Sequence, residues 1–179
     1  MTTDLNAFSS SEKAHLMSLF YRVGVWISHA DDAGAEIADA VEAAMLTRLL
    51  QKVVDNPART ALVRDIAAEA LRQRGNWARW AAQIDTFIPD AQQGVRILKP
   101  VCGQDEVMDF IYGLRALGEA VAMASDEDAM AEDVSEALGG SLLTRIRDAL
   151  FPPRKACARN ISPLEDNALT ELARALNNV

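Results

Sequence analysis

The sequence predicts an all-α protein, a compact bundle of seven or eight helices with an internal helical-hairpin pseudo-repeat. Three observations lead there. Apolar residues recur at three- and four-residue spacing through nearly every segment, the period of a helix that buries one face. Ala and Leu dominate while β-branched and aromatic residues are sparse, which favours helix over strand. Caps and breakers punctuate the chain at intervals that suit helices of ordinary length. At 179 residues the chain reads as a single domain, 1–179, large enough to bury roughly 70% of its unfolded surface without disulfides or metals.

Residues 1–8 carry no clear period and are expected to be loose. Ser9-Ser10-Ser11-Glu12 starts the first helix, with a serine cap and an acid in the first turn. Leu16, Leu19, Phe20, Val23, Ile27 and Ala30 give it one continuous stripe, and Gly24 within it suits a close crossing. Asp31 or Asp32 can cap the next helix, whose stripe is Ile37, Val41, Met45, Leu49 and Val53. Asn56-Pro57 ends it, and Pro57 is expected to open a third helix with Leu62, Ile66 and Ala70 inward. Gly75-Asn76 closes that one.

Trp77, Trp80, Ile84 and Phe87 predict a short helix ending at Ile88-Pro89. Asp90 would cap another segment through Val95 and Leu98, ended by Lys99-Pro100. Residues 104–124 make the cleanest helix, with Val107, Phe110, Ile111, Leu114, Leu117, Gly118 and Val121 on its core face. Ser125-Asp126-Glu127-Asp128 reads as an acidic turn. The helix expected after it uses Met130, Val134, Leu138, Leu142, Ile146 and Leu150, and Gly139-Gly140 inside it costs roughly 2 kcal/mol against two alanines. A linker follows at 151–155. Ser162, Pro163 and Glu165 form a strong helix start for a docking helix within 160–179.

The stretch 26–50 has a weaker copy 97 residues downstream. Asp31 falls on Asp128, Ala40 on Ala137, and Leu46-Thr47-Arg48 on Leu143-Thr144-Arg145. One helical hairpin used twice, about 15–55 and 105–150, accounts for the kept charges and apolar spacing.

The net charge of −8 argues against a general nucleic-acid binder, because phosphate contacts need a basic surface. No apolar run approaches the ~20 residues of a membrane span. Cys102 and Cys157 show no CxxC and no nearby histidine at ligand spacing. With no signal peptide in the sequence, free thiols in a cytoplasmic protein are the expectation.

Several constellations bear on chemistry. Asp31, Asp32 and Glu36 cluster at one predicted helix start, and Asp126, Glu127, Asp128 and Glu132 at another. Carboxylates there can simply cap backbone N–H groups and favour the positive end of the helix dipole. They also suit a hard divalent cation, Ca or Mg, if the two turns pool their oxygens. Neither is an EF-hand. The sixth and twelfth positions from Asp126 are Ala131 and Ala137, and from Asp31 they are Glu36 and Glu42, so the required glycine is missing in both.

Glu12 and His15 form one Glu-x-x-His pair, but Trp26 stands where a second glutamate would precede His29, so the di-iron pattern is incomplete. The two histidines lie 14 residues apart on one helix, about 21 Å, too far to share a metal within one chain. Serine-hydrolase elbows and phosphate- or dinucleotide-binding loops are missing, so no catalytic residue is assigned. Arg72, Arg74, Arg79, Arg96 and Lys99 surround Trp77 and Trp80. That middle region either binds an anionic partner or, as we expect, packs its tryptophans inward and leaves its cations in water or paired with the acidic turns.

The acidic turns, followed by an acid-rich amphipathic helix, and the stretch Ile161-Ser162-Pro163-Leu164-Glu165-Asp166-Asn167-Ala168-Leu169-Thr170-Glu171-Leu172 resemble the TerB-like tellurite-resistance family. The likeness covers roughly 15–50 and 105–176. Family members are all-helical, with duplicated hairpins whose turns usually read Ala-x-Ala-Asp-Gly with a downstream Glu. Here the turns read Ala30-Asp31-Asp32-Ala33-Gly34-Ala35-Glu36 and Ala124-Ser125-Asp126-Glu127-Asp128, with Glu132 beyond, and the Asp-Gly step is absent from both. The resemblance implies a non-enzymatic, stress-associated interaction module. It places Asp31 and Glu36, with Asp126 or Asp128 and Glu132, at the family's acidic positions. The alternatives are a carboxylate-rich metal-dependent enzyme or a purely structural adaptor bundle. No protein partner is identified, and surplus apolar helix surface would make a homodimer unsurprising.

Overall fold

The computed structural model describes residues 3–31, 38–128 and 161–179, with side-chain detail omitted for 31, 38–42 and 125–128. Seven α-helices lie within these residues, with no strand among them. They are α1 (Ser10–Ser28), α2 (Ala38–Val54), α3 (Ala61–Arg72), α4 (Trp77–Ala81), α5 (Phe87–Leu98), α6 (Gln104–Asp128) and α7 (Pro163–Asn177). Short 3-10 turns at Leu5–Ala7, His29–Asp31, Arg74–Asn76 and Ile84–Thr86 join or extend them.

The bundle is built around α1. Ser9 caps it through the Glu12 amide, and Glu12 reaches back to the Ser9 amide at 2.8 Å, a reciprocal capping box. Every residue from Leu16 to Val25 is buried, not only the predicted stripe. A helix wrapped on all sides is the central element of its fold. Helices α2, α3, α4, α5, α6 and α7 all touch it. Gly24 is a contact point, since a Cβ there would stand 2.1 Å from a Leu46 methyl on α2, so α2 can close down only because the side chain is missing.

Helices α1 and α6 pack in parallel. Phe20 meets Phe110 with ring centroids 5.5 Å apart, and it also abuts Gly113. Farther along both helices, Val23 and Ile27 meet Gly118. Rising numbers therefore pair with rising numbers, and both helices end at the same end of the bundle. All seven predicted core residues of α6 are buried.

Four boundaries differ from expectation. Pro57 does not open α3. Asn56 accepts the Ala58 amide at 2.9 Å to form a turn, and Thr60 caps the helix at Val63. The tryptophan helix stops at Ala81, and Ile88-Pro89 lies inside the first turn of α5, where a missing N–H breaks no helical bond. Asp90 is thus a helical residue and not a cap. Finally, α6 runs through Ser125-Asp126-Glu127-Asp128, which are helical and not a turn. Nothing in that alanine-rich stretch is a glycine or proline that would stop it.

On α2 the buried face is Leu46, Leu49, Leu50 and Val53, rotated slightly from the predicted stripe, with Met45 half-buried. At α7, Ser162 caps the Glu165 amide and Pro163 occupies the first helical position, as read from the sequence, and Leu172 and Leu176 dock the helix. The helix expected over Met130–Leu150, its Gly139-Gly140 pair and the 151–155 linker lie outside the described residues.

Candidate functional site

Of the six predicted cation ligands, three have a described backbone. Asp31 closes the 3-10 turn after α1, and Asp126 and Asp128 lie in the last described turn of α6. Parallel packing of α1 and α6 sets these segments at one end of the bundle. Asp32, Glu36 and Glu132 lie outside the described residues. Among the described residues no group of three or more His, Cys, Asp or Glu stands close enough to hold a metal ion.

A polar cluster lies along α1 from His15 to its middle. His15, Ser18 and Arg22 stand at i, i+3 and i+7, hence on one face of that helix. They line a cleft of about 670 Å³ together with Arg79 and Trp80 of α4, Gln83, Asp85 and Thr86 of the following turn, and Asp90 of α5. Arg22 is 2% exposed, the largest fully buried side chain among the described residues. One terminal nitrogen pairs with the Asp90 carboxylate at 2.8 Å. The same nitrogen donates to the Thr86 hydroxyl at 3.1 Å and to the Gln83 carbonyl. Its Nε has no hydrogen-bond partner.

Asp90 anchors the cleft twice. Its backbone carbonyl lies 2.8 Å from His15 Nε2. A carbonyl only accepts, so Nε2 carries the hydrogen and Nδ1 of a neutral ring is left as an acceptor. Its carboxylate accepts the Thr86 hydroxyl at 2.8 Å. Partial burial raises the Asp90 pKa, but the Thr86 and Arg22 hydrogen bonds, with the Arg22 and His15 charges, outweigh it and hold the carboxyl below its ordinary value of 3.8.

Sequence reasoning missed Arg22 and Asp90. A signal was available, because Arg22 is the one formally charged residue between Lys13 and Asp31. A lone charge in an apolar helix must find a partner when that helix is buried. The identity of the partner, 68 residues away, has no local signature.

The remaining candidates are structural. Trp77 is buried, stacks on Tyr21 at 4.5 Å and donates its indole N–H to the Ala70 carbonyl at 3.0 Å. Trp80 is 3% exposed, while Arg72, Arg74, Arg79, Arg96 and Lys99 face outward, which meets the expectation for this region. Arg72 pairs with Glu69, and Arg74 lies 5.7 Å from the Trp77 ring centroid. His29 is exposed, with Nδ1 2.9 Å from the Val25 carbonyl.

Cys102 is half-buried in a second hollow of about 410 Å³ with Val95, Val107, Met108, Ile111 and Leu176. Burial, opposed by a Thr3 hydrogen bond and reinforced by the Glu106 carboxylate, pushes its thiol pKa up. Such a thiol is a poor nucleophile. Cys157 lies outside the described residues. Within them, no helix is long and apolar enough to cross a membrane.

No protein-family model, no curated protein and no solved structure matches the chain. Its functional reading therefore rests on its own geometry.

Proposed function

We propose that this protein is a non-enzymatic, TerB-like helical interaction module of the cytoplasmic stress response, steadied by a divalent cation, Ca or Mg, at one end of its bundle. The observation that supports the reading is the parallel run of α1 and α6. Two chain segments rich in carboxylates, otherwise far apart in sequence, leave the bundle on the same side. Asp31 and Asp32 with Glu36 form one half of the proposed ligand set, and Asp126 and Asp128 with Glu132 form the other. A hard cation with oxygen ligands from both segments would clamp α1 to α6.

Binding to the folded state alone raises stability by mass action. Chelator-stripped protein should therefore melt several degrees higher in millimolar Ca²⁺ or Mg²⁺, and an Asp31→Asn/Asp128→Asn variant should not. No shift with either ion, or an equal shift in the variant, would reduce these carboxylates to ordinary surface charges.

A further inference from the structure

The cleft beside Arg22 takes no part in the cation reading, and its charges are arranged for a different ligand. Four formal charges line it: Arg22, Arg79, Asp85 and Asp90. Arg22 and Asp90 neutralise each other in their 2.8 Å pair. Arg79 and Asp85 remain. Both are exposed, and neither joins an ion pair among the described residues. They stand on either side of the turn that ends α4, so one cleft offers an open cation and an open anion on its rim.

We propose that this cleft binds a small zwitterion of the amino-acid class, a free α-amino acid or a dipeptide. The Arg79 guanidinium would hold its carboxylate in a bidentate contact, and the Asp85 carboxylate would hold its ammonium. Charge selects the class. A simple anion would gain Arg79 but meet Asp85. A simple cation would gain Asp85 but meet Arg79. Only a ligand with both charges gains from both.

The other groups fit. When its ring is neutral, His15 offers Nδ1 as an acceptor, since Nε2 donates to the Asp90 carbonyl, and adds a place for an ammonium hydrogen. Ala14 and Ala82 leave the walls open, and Trp80 supplies an apolar side. The volume lies within the range of small-molecule sites. The floor is rigid, because Arg22 is held by three acceptors on a central helix, and a preformed site loses little on ordering.

The test is isothermal titration of the full chain with the free L-amino acids and glycylglycine at millimolar concentration, each beside its N-acetylated and C-amidated forms. At least one free zwitterion should bind saturably, and blocking either end should weaken it roughly tenfold or more. Arg79→Gln and Asp85→Asn should each do the same at an unchanged melting temperature, since both side chains lie on the surface. Binding that survives both substitutions, blocked forms that bind as well as free ones, or no heat from any probe would each overturn the proposal. Because Asp31 and Asp128 lie outside this cleft, their double variant should bind the zwitterion like the parent.

Discussion

Among the described residues two buried arginines anchor helices to each other, and they do it differently. Arg22 sits mid-helix in α1 and meets Asp90 beside an open cleft. Arg59 sits in the turn between α2 and α3 and meets Asp109 of α6 at 2.7 Å in a closed setting. Both are nearly inaccessible, at 2% and 7% exposure. Both leave Nε without a partner. The partners differ. Asp109 also accepts the Thr60 amide at 2.8 Å and the Thr60 hydroxyl at 3.0 Å, and the Tyr112 ring covers Arg59 with its centroid 4.4 Å from the guanidinium carbon. The Asp109 side chain is 15% exposed, against 32% for Asp90. The sealed pair pins a loop to the core. The open pair sets up a polar surface that a ligand can reach.

Removing one partner of a buried pair strands the other charge, and the cost grows with how thoroughly water is kept out. Asp109→Ala should therefore be the more damaging change, at about 3 kcal/mol, because it orphans Arg59 and the Thr60 amide together. Asp90→Ala should cost less, about 2 kcal/mol, since the cleft lets water reach the freed guanidinium. Urea unfolding of both variants checks the order, and a reversal would mean that the cleft is better sealed than its geometry indicates.

Acid tests the open pair directly. The Asp90 pKa is lowered in the folded state, so its stabilising contribution is complete well above 3.8 and is lost as pH falls through the folded value. Glu106 behaves alike from its ordinary 4.5. Burial raises it, but the Thr3 hydroxyl and amide and the Gly103 amide outweigh that and lower it. Stability should thus fall below about pH 4, and Asp90→Asn should show a shallower fall than the parent in unfolding free energy measured across that range. An identical pH slope would assign the acid sensitivity elsewhere.

The smallest expected effect sharpens the sealed site. Thr60→Ser keeps the cap and the Asp109 contact and should be near neutral. Thr60→Ala should cost about 1 kcal/mol in the same unfolding measurement, the worth of a lost helix cap.

Local signals were legible where local physics governs. The serine cap at the start of α1, the capping box at Ser162, the core face of α6 and the inward tryptophans all follow from spacing and residue type. Boundaries near proline were misread because Pro57 and Pro89 suit more than one position in a helix start, and the choice fell to Thr60 with Asp109 and to the short turns after Ala81. The acidic residues were legible as clusters, but their relation to each other was not. Nothing in 97 residues of separation says that α1 and α6 run parallel.

By itself, the sequence determined the helical class, the caps and most of the buried faces, because periodicity and capping act within a few residues. Only the tertiary structure decided that α1 is buried on every side, that Arg22 pairs with Asp90, and that the Asp31 and Asp128 segments share one end of the bundle. These depend on which helices pack together and in which direction, and that is settled by the fit of side chains such as Leu46 over Gly24 and Phe20 against Phe110, distant along the chain.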